Sequence, residues 1–161
     1  KLYSDISGKI TKVEFYDGNY GKNLLLTIED EGFEPVTVSL NTAQNFGEDM
    51  LKKILAIDLE QPVKLVPYSL IDDKTKKSKK GITVYQNDIK IQSYFHDYNP
   101  DTKTTTTKHG FPKAPVAKKG KVISADEWKL WFGTCRLFMI NFIEEKLGLD
   151  KVEESDAVKN F

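Results

Sequence analysis

Residues 65–95, with the sequence LVPYSLIDDKTKKSKKGITVYQNDIKIQSYF, decide the fold that we predict for this chain. Two runs rich in apolar and aromatic side chains flank a lysine-rich tip, which predicts two antiparallel strands joined by a turn. The first strand is predicted at 62–71. It is apolar at both parities, which predicts cover on both faces, and Pro67 indicates an edge or a bulge. The second strand is predicted at 82–95, with a kink near 86–88 where the apolar positions change parity.

Three more strands are predicted upstream of this hairpin. The first spans 6–16, and its apolar positions fall out of phase, so we expect a bulge or bend near Thr11. A turn with two glycines at 17–21 leads into a second strand at 22–31, in which apolar and polar residues alternate. The third strand is predicted at 36–40 from the same alternation.

The hydrophobic period becomes helical between the third and fourth strands. A helix capped by Asn41 or Thr42 is predicted to run to about Ala56. The order is therefore three strands, a helix and two strands, which is the order of the OB-fold, a five-stranded Greek-key barrel. We predict a mainly β chain in which residues 1–96 form this barrel and a long α-helix follows at the C-terminus.

The C-terminal part of the chain has three predicted segments. Threonines, prolines and lysines dominate residues 97–123, which predicts a basic irregular arm with too few apolar residues for a core element. A capping box at 124–127 and a glycine C-cap at Gly148 predict a helix over 124–148. Residues 149–161 form a short acidic tail.

This helix is apolar nearly all round, which predicts burial on more than one side. Two arrangements follow from that pattern. The helix packs on the barrel with one face and meets a second copy of the chain through residues 125–147, or the single chain buries it completely.

Composition limits the class of protein. The chain has 161 residues, 39% apolar and 30% charged, which predicts one soluble globular domain with appendages. A single cysteine, Cys135, excludes an internal disulfide and fits a reducing cytoplasm. No apolar run is long enough to span a membrane, and the N-terminus has no signal-peptide pattern. The chain begins with Lys1 rather than Met, which is compatible with a start further upstream.

Charge is segregated along the chain although the total is zero. Residues 61–121 hold 13 lysines and 5 acidic residues, giving +8, whereas residues 1–60 carry −5 and residues 122–161 carry −3. Local potential, rather than total charge, governs anion binding. The middle segment is thus the predicted docking region for a polyanion, although lysines at a hairpin tip also serve simply to keep a sheet edge solvated.

Lysines beside aromatic rings suit a single-stranded nucleic acid, because lysines neutralise phosphates and ring faces accept stacked bases. The candidate stacking residues are Tyr16, Tyr20, Phe33, Tyr68, Tyr85 and Tyr94. The candidate phosphate contacts are Lys12, Lys22, Lys64, Lys74, Lys76, Lys77, Lys79, Lys80 and Lys90. The arm offers a second contact through Tyr98, His109 and Phe111, or it is a plain linker. Each of these aromatic residues is also a candidate for the core.

In its first hairpin (SGKITKVEFYDGNYGKNLLLTIED, 7–30), its lysine-rich hairpin and the run ITVYQNDIKIQSYF (82–95), the chain resembles phage-type OB-fold single-stranded DNA-binding proteins over residues 5–95. The resemblance implies sequence-independent binding and protection of single-stranded DNA in replication, recombination or repair, in the host cytoplasm if the protein is viral. It also implies recruitment of replication proteins through the tail, which ends in Phe161.

Catalytic patterns are sparse, so we predict a protein that is not an enzyme and needs neither a metal nor a cofactor. His96, His109 and Cys135 lack the spacing of a zinc site, and no phosphate-binding loop occurs. A two-metal nuclease would need Asp17, Glu29 and Asp30 to converge. The alternatives left open are an OB-fold interaction or scaffold module without nucleic-acid binding, and an RNA-binding module.

Overall fold

A computed structural model describes residues 5–149 and shows a mainly β chain with two helices. Its six-stranded antiparallel sheet contains β1 (Ile6–Gly18), β2 (Gly21–Glu29), β3 (Val36–Asn41), β4 (Val63–Ile71), β5 (Ser78–Gln86) and β6 (Ile89–Lys90). A separate two-stranded sheet contains β7 (His96–Asn99) and β8 (Thr104–Thr107). The helices are α1 (Asn45–Lys53), which continues into a 3₁₀ turn at Ile54–Ala56, and α2 (Ala125–Leu147).

The bend predicted near Thr11 is present in β1. The register between β1 and β2 shifts between Ile10 and Lys12, so one residue bulges out of the ladder. The first three residues of β1, Ile6–Gly8, pair with β4, and the part from Lys9 onward pairs with β2. The bent strand therefore belongs to both halves of the sheet, which runs in the order β3-β2-β1-β4-β5-β6.

The sheet is open. Among residues 5–149, β3 and β5 form no ladder with each other, and α1 lies against both strands. The helix is anchored to β5 at Ile82, whose amide donates to Asp49 Oδ2 at 2.7 Å and whose carbonyl accepts from Lys53 Nζ at 2.6 Å. The prediction of a mainly β chain with a long C-terminal helix is thus confirmed, whereas closure of the sheet into a barrel is not shown.

The predicted single strand at 82–95 is wrong. Asn87 and Asp88 both have positive φ, 53° and 62°, as a two-residue type I′ turn requires. The chain reverses there, and β6 pairs back onto β5. Beyond β6 the chain leaves the sheet and carries Phe95 into the core, where this ring is fully buried.

The predicted cap of the first helix is also wrong. Asn41 is the last residue of β3, and its Oδ1 accepts from the Ala43 amide at 2.9 Å. Thr42 is buried and donates its hydroxyl to the Lys22 carbonyl at 2.8 Å. Both side chains therefore fix the turn between β3 and α1, and the helix begins at Asn45 with Gln44 as its N-cap.

The C-terminal helix has the predicted caps. Ser124 Oγ accepts from the Glu127 amide at 3.1 Å, and Gly148 ends the helix with φ 61°. One face of α2, including Met139 and Ile143, is buried in the main core. Leu130 and Leu137 are largely exposed, so the single chain does not bury the helix completely.

The segment predicted as an irregular arm contributes to the folded structure. It contains β8 and most of β7, and Phe111 is only 6% exposed. Phe111 packs against Phe95 and Phe138 with ring centroids 5.8 and 5.9 Å apart, so the expectation of no core element here was wrong. None of the helices within 5–149 is long and apolar enough to cross a lipid bilayer. Beyond Leu149, the predicted acidic tail lies outside the described residues.

Candidate nucleic-acid interface

An aromatic residue between two lysines marks the outer face of the β4–β5–β6 half of the sheet. Leu65 and Val84 are opposite each other and face the core, so their neighbours Lys64 and Tyr85 face outward, again opposite each other. Lys90 of β6 pairs with Tyr85 from the other side. The ladder thus places Lys64, Tyr85 and Lys90 in one row across three strands, with the tyrosine ring exposed. Lys64 is 3.7 Å from Asp5 in an exposed ion pair.

The lysine tip of the β4–β5 hairpin is held in a defined turn. Asp72 Oδ1 accepts from the amides of Lys74 at 2.8 Å and Thr75 at 3.0 Å, and Lys76 has φ 58°. These backbone hydrogen bonds lower the pKa of the Asp72 carboxyl. All the lysines of the tip are exposed, and none of the ion pairs within residues 5–149 includes one of them. The lysines of the tip are Lys74, Lys76, Lys77, Lys79 and Lys80.

Tyr68 links the hairpin to α1. It lies opposite Gly81 in the ladder, and a Cβ atom at Gly81 would come within 2.5 Å of the Tyr68 hydroxyl and of Asp49 Oδ2. Burial and the nearby negative charge of Asp49 raise the pKa of the Tyr68 phenol. The ring is therefore partly used in packing, which makes Tyr68 a weaker stacking candidate than Tyr85.

A second group of candidates surrounds the β1–β2 turn. Tyr20 is 90% exposed at this turn, and Tyr16 donates to or accepts from Ser39 Oγ at 3.0 Å across the outer face of β2. The asparagines Asn23 and Asn41 line the open depression between them. This end of the sheet offers an exposed ring and neutral amides. Its charge is weak, since Lys22 is half-buried and Lys12 pairs with Glu14 at 3.1 Å.

Phe33 lies apart from both groups. It is 75% exposed in the β2–β3 connection, where acidic residues dominate the stretch 29–34. Tyr20 and Phe33 flank opposite ends of β2, which is roughly 27 Å long at the usual rise per residue. Negative charge around Phe33 is unfavourable for phosphates, so the surrounding charge gives no support to the prediction of Phe33 as a stacking residue.

Two further sequence candidates belong to the core and its edge. Phe111 is buried, as described above, and presents no free ring face. Tyr94 stacks on His109 with ring centroids 4.3 Å apart and planes 5° apart, and its amide donates to the Lys52 carbonyl at 2.7 Å. Both residues join α2 to the rest of the fold, so their prediction as DNA contacts has no support in the geometry.

The sequence did not predict which residues gather around Tyr98. This ring is 63% exposed on β7 and lines an open depression of about 710 Å³ together with Lys90, His96 and Lys108. The alternation of His96 and Tyr98 was the available signal, but no local pattern indicates that β6 returns Lys90 to this place.

The nuclease arrangement is not formed. Asp17 pairs with Lys22 at one end of the β1–β2 ladder, and Glu29 pairs with Lys9 at the other. Within residues 5–149 no group of three or more histidine, cysteine or acidic side chains could hold a metal ion. The part of the chain that the structure describes therefore contains exposed lysines and no assembled set of carboxylates.

Searches of protein-family models, curated proteins and solved structures find no match to this chain. The resemblance to phage-type single-stranded DNA-binding proteins therefore stays a prediction, supported by element order and residue character in this sequence alone.

Proposed function

We propose that this protein binds single-stranded DNA without sequence preference. The observation that carries the proposal is the row of Lys64, Tyr85 and Lys90 on the outer face of β4, β5 and β6. A base stacked on the exposed tyrosine would place its neighbouring phosphates beside lysines on either side. Stacking accepts every base and lysines contact only phosphate, so the arrangement provides affinity without reading sequence.

The surroundings of this row favour the same partner. Lys79 shares the outer face of β5 with Tyr85. The other lysines of the tip lie next to Lys79, on β5 or in the turn that precedes it. The tip contributes five positive charges, against two negative charges on Asp72 and Asp73. The lysines lie within the +8 segment, so a polyanion meets attractive potential along the whole hairpin.

The topology supports an OB-type interpretation of the open sheet. β1 is bent and shared between the two halves of the sheet, and α1 lies where β3 and β5 would meet in a closed barrel. OB-folds bind oligonucleotides on the face of strands 2 and 3 and through the loops that follow strands 1 and 4. In this chain those loops carry Tyr20 and the lysine tip, and the Tyr85 row lies on the strands that flank the second loop rather than on the face of strands 2 and 3.

A titration with fluorescent oligo-dT tests the proposal. Tight binding at low salt that weakens as salt rises is expected, with much weaker binding to duplex DNA of the same length. Tyr85→Ala should weaken binding by about 5- to 150-fold, since stacking contributes roughly 1–3 kcal/mol per base. Tyr85→Phe keeps the ring face and is the matched control. Equal affinity for duplex, or no binding at low salt, would exclude the proposal, and competition by oligo-U tests a preference for RNA.

On the resemblance to phage-type single-stranded DNA-binding proteins, we propose that this binding protects DNA during replication, recombination or repair of a bacteriophage. Replication proteins recruited by the acidic tail are part of the same proposal. Host cytoplasm is the compartment that it requires.

The second candidate function is protein interaction through α2. Leu130 and Leu137 lie two turns apart on one face of α2 and expose apolar side chains, with neutral Thr134 between them. Phe132 is also exposed but lies on the opposite face of the helix. An uncharged apolar patch suits a second copy of the chain, because identical faces meet about a two-fold axis without opposing charges. Light scattering should show a dimer that Leu137→Glu converts to a monomer, while Lys129→Glu, about 100° from Leu130 around the same helix, leaves it intact. A monomeric wild-type protein would contradict self-association.

A further inference from the structure

Contacts of His96 anchor the β7–β8 hairpin, which forms one side of the open depression around Tyr98. His96 and Tyr98 occupy alternate positions of β7, opposite Thr107 and Thr105 of β8, so both side chains point to one face of the hairpin. His96 is half-buried, and its Nδ1 lies 2.8 Å from Ser93 Oγ. The rings of Phe111 and His96 pack at an angle of 64° with centroids 4.6 Å apart. The hairpin is therefore anchored at His96, and Tyr98 extends from it as an exposed ring.

The depression carries positive charge. Lys90 and Lys108 line it, and Asp97 is the single acidic residue among the lining residues. Lys108 Nζ is 3.0 Å from Asp97 Oδ1, so these two charges compensate each other and Lys90 supplies the net positive charge of the lining. The pKa of His96 is lowered by burial and by the charges of Lys52 on α1 and Lys108, which places His96 in a region of positive potential.

Lys90 connects this depression to the row on β4, β5 and β6. It is the cross-strand partner of Tyr85, and it also lines the depression that contains Tyr98. One lysine therefore borders two exposed tyrosine rings. A phosphate bound to Lys90 would join a base on Tyr85 to a following base at Tyr98, as a continuous strand requires.

We propose that this depression is a second nucleotide subsite, in which Tyr98 stacks a base of the same single strand that Tyr85 holds and Lys90 contacts the phosphate between them. The inference rests on the proposed function and extends it by a defined path for the strand. Gln92 and Ser93 line the same depression and offer hydrogen-bonding groups to a base edge. The path leads from the hairpin lysines past Tyr85 toward the β7–β8 hairpin.

Two measurements test the subsite. The first compares Tyr98→Ala with Tyr98→Phe on oligo-dT of increasing length. On long oligonucleotides the alanine variant should bind about 5- to 150-fold more weakly and the phenylalanine variant nearly as well as wild type. On the shortest oligonucleotides that bind, the alanine variant should match wild type, since they need occupy only the Tyr85 row.

The second measurement does not depend on a variant. Oligo-dT that contains 5-iodouracil is crosslinked to the wild-type protein by light, and the tryptic peptide 91–103, which contains Tyr98, should carry the crosslink. If wild type binds oligo-dT but Tyr98→Ala binds every length equally well and peptide 91–103 stays unmodified, the subsite is refuted and the proposed function stands. Absence of wild-type binding at low salt overturns both. A crosslink on 91–103 together with the length-dependent loss supports both.

Discussion

Asp49 Oδ2 accepts a hydrogen bond from the backbone amide of Ile82 at 2.7 Å. A side chain of α1 therefore takes the place of a neighbouring strand at this point of β5. Lys53, one turn along α1, donates to the carbonyl of the same residue. On the other side of β5, Ile82 lies opposite Pro67, which has no amide to donate. The two polar backbone groups of Ile82 are thus satisfied by an ion-paired side-chain couple rather than by a ladder.

Removal of the Asp49 carboxylate should weaken the fold. Asp49→Ala leaves the Ile82 amide without a partner and breaks the ion pair with Lys53, so the free energy of unfolding should fall by about 1–3 kcal/mol. Glu48→Ala is the matched control on the same helical turn, because the side chain of Glu48 forms a half-exposed ion pair with Lys52 at 3.4 Å. It should cost less than about 1 kcal/mol. Urea unfolding of both variants measures the difference, and equal losses would contradict the anchoring role of Asp49.

A glycine is required at position 81 because the side chains of Tyr68 and Asp49 leave no space for a Cβ atom. An alanine Cβ there would approach the Tyr68 hydroxyl and Asp49 Oδ2, each within 2.5 Å, so Gly81→Ala should destabilise the protein by about 1–3 kcal/mol. Gly133→Ala is the control, because Gly133 lies within α2 and its nearest neighbour would be 3.7 Å away. That change should stabilise by up to about 1 kcal/mol through helix propensity.

A thermal or urea unfolding series distinguishes the two glycines. The same substitution should change stability in opposite directions at the two positions. Tyr68→Ala should reduce the penalty of Gly81→Ala when the two are combined, since the displaced ring is then gone. If the Gly81→Ala variant is as stable as wild type, the Tyr68 side chain moves aside without loss of stability, and the prediction is wrong.

Local patterns in the sequence predicted those features that depend on neighbouring residues. The phase break between Ile10 and Val13 indicated the bulge in β1, because a strand keeps one face buried only if an extra residue is inserted. The caps of α2 were equally local. The parity change near Gln86 was also recognised, but a kink and a two-residue reversal produce the same change, and neither residue of the Asn87–Asp88 turn is a glycine.

Features that depend on distant segments were not predictable. Gly47 looks like a weak helix residue, yet a Cβ there would collide with the Asn41 carbonyl. Phe111 is buried because α2 packs over it, which no pattern around residue 111 reveals. The row containing Tyr85 likewise depends on cross-strand register. The sequence named its three members and could not show that they are adjacent.

The stability of the fold should fall as the pH decreases through the range in which histidine titrates. Burial and then the charges of Lys52 and Lys108 lower the pKa of His96, so the folded state binds its proton less readily than the unfolded state. The contribution is therefore fully present above the unfolded pKa of about 6.5 and is lost as the pH falls below that value toward the folded pKa.

Urea unfolding between pH 8 and pH 5 measures this dependence. His96→Asn, which cannot take up a proton, should flatten the slope below pH 6.5 relative to wild type. A proton NMR titration of the His96 ring should give a midpoint below its usual value. An unchanged midpoint would contradict the assignment of the effect to His96.

The lysine tip should determine how strongly salt weakens binding to single-stranded DNA. Each phosphate neutralised on a single strand changes the slope of log K against log salt by about 0.7, so five contacts account for up to about 3.5. Replacing Lys74, Lys76, Lys77, Lys79 and Lys80 by glutamine should remove that share of the slope. The five-arginine variant keeps the charge and should retain it. The Asp72 turn uses backbone amides, so both variants keep the hairpin geometry. An unchanged slope in the glutamine variant would place the phosphate contacts elsewhere on the protein.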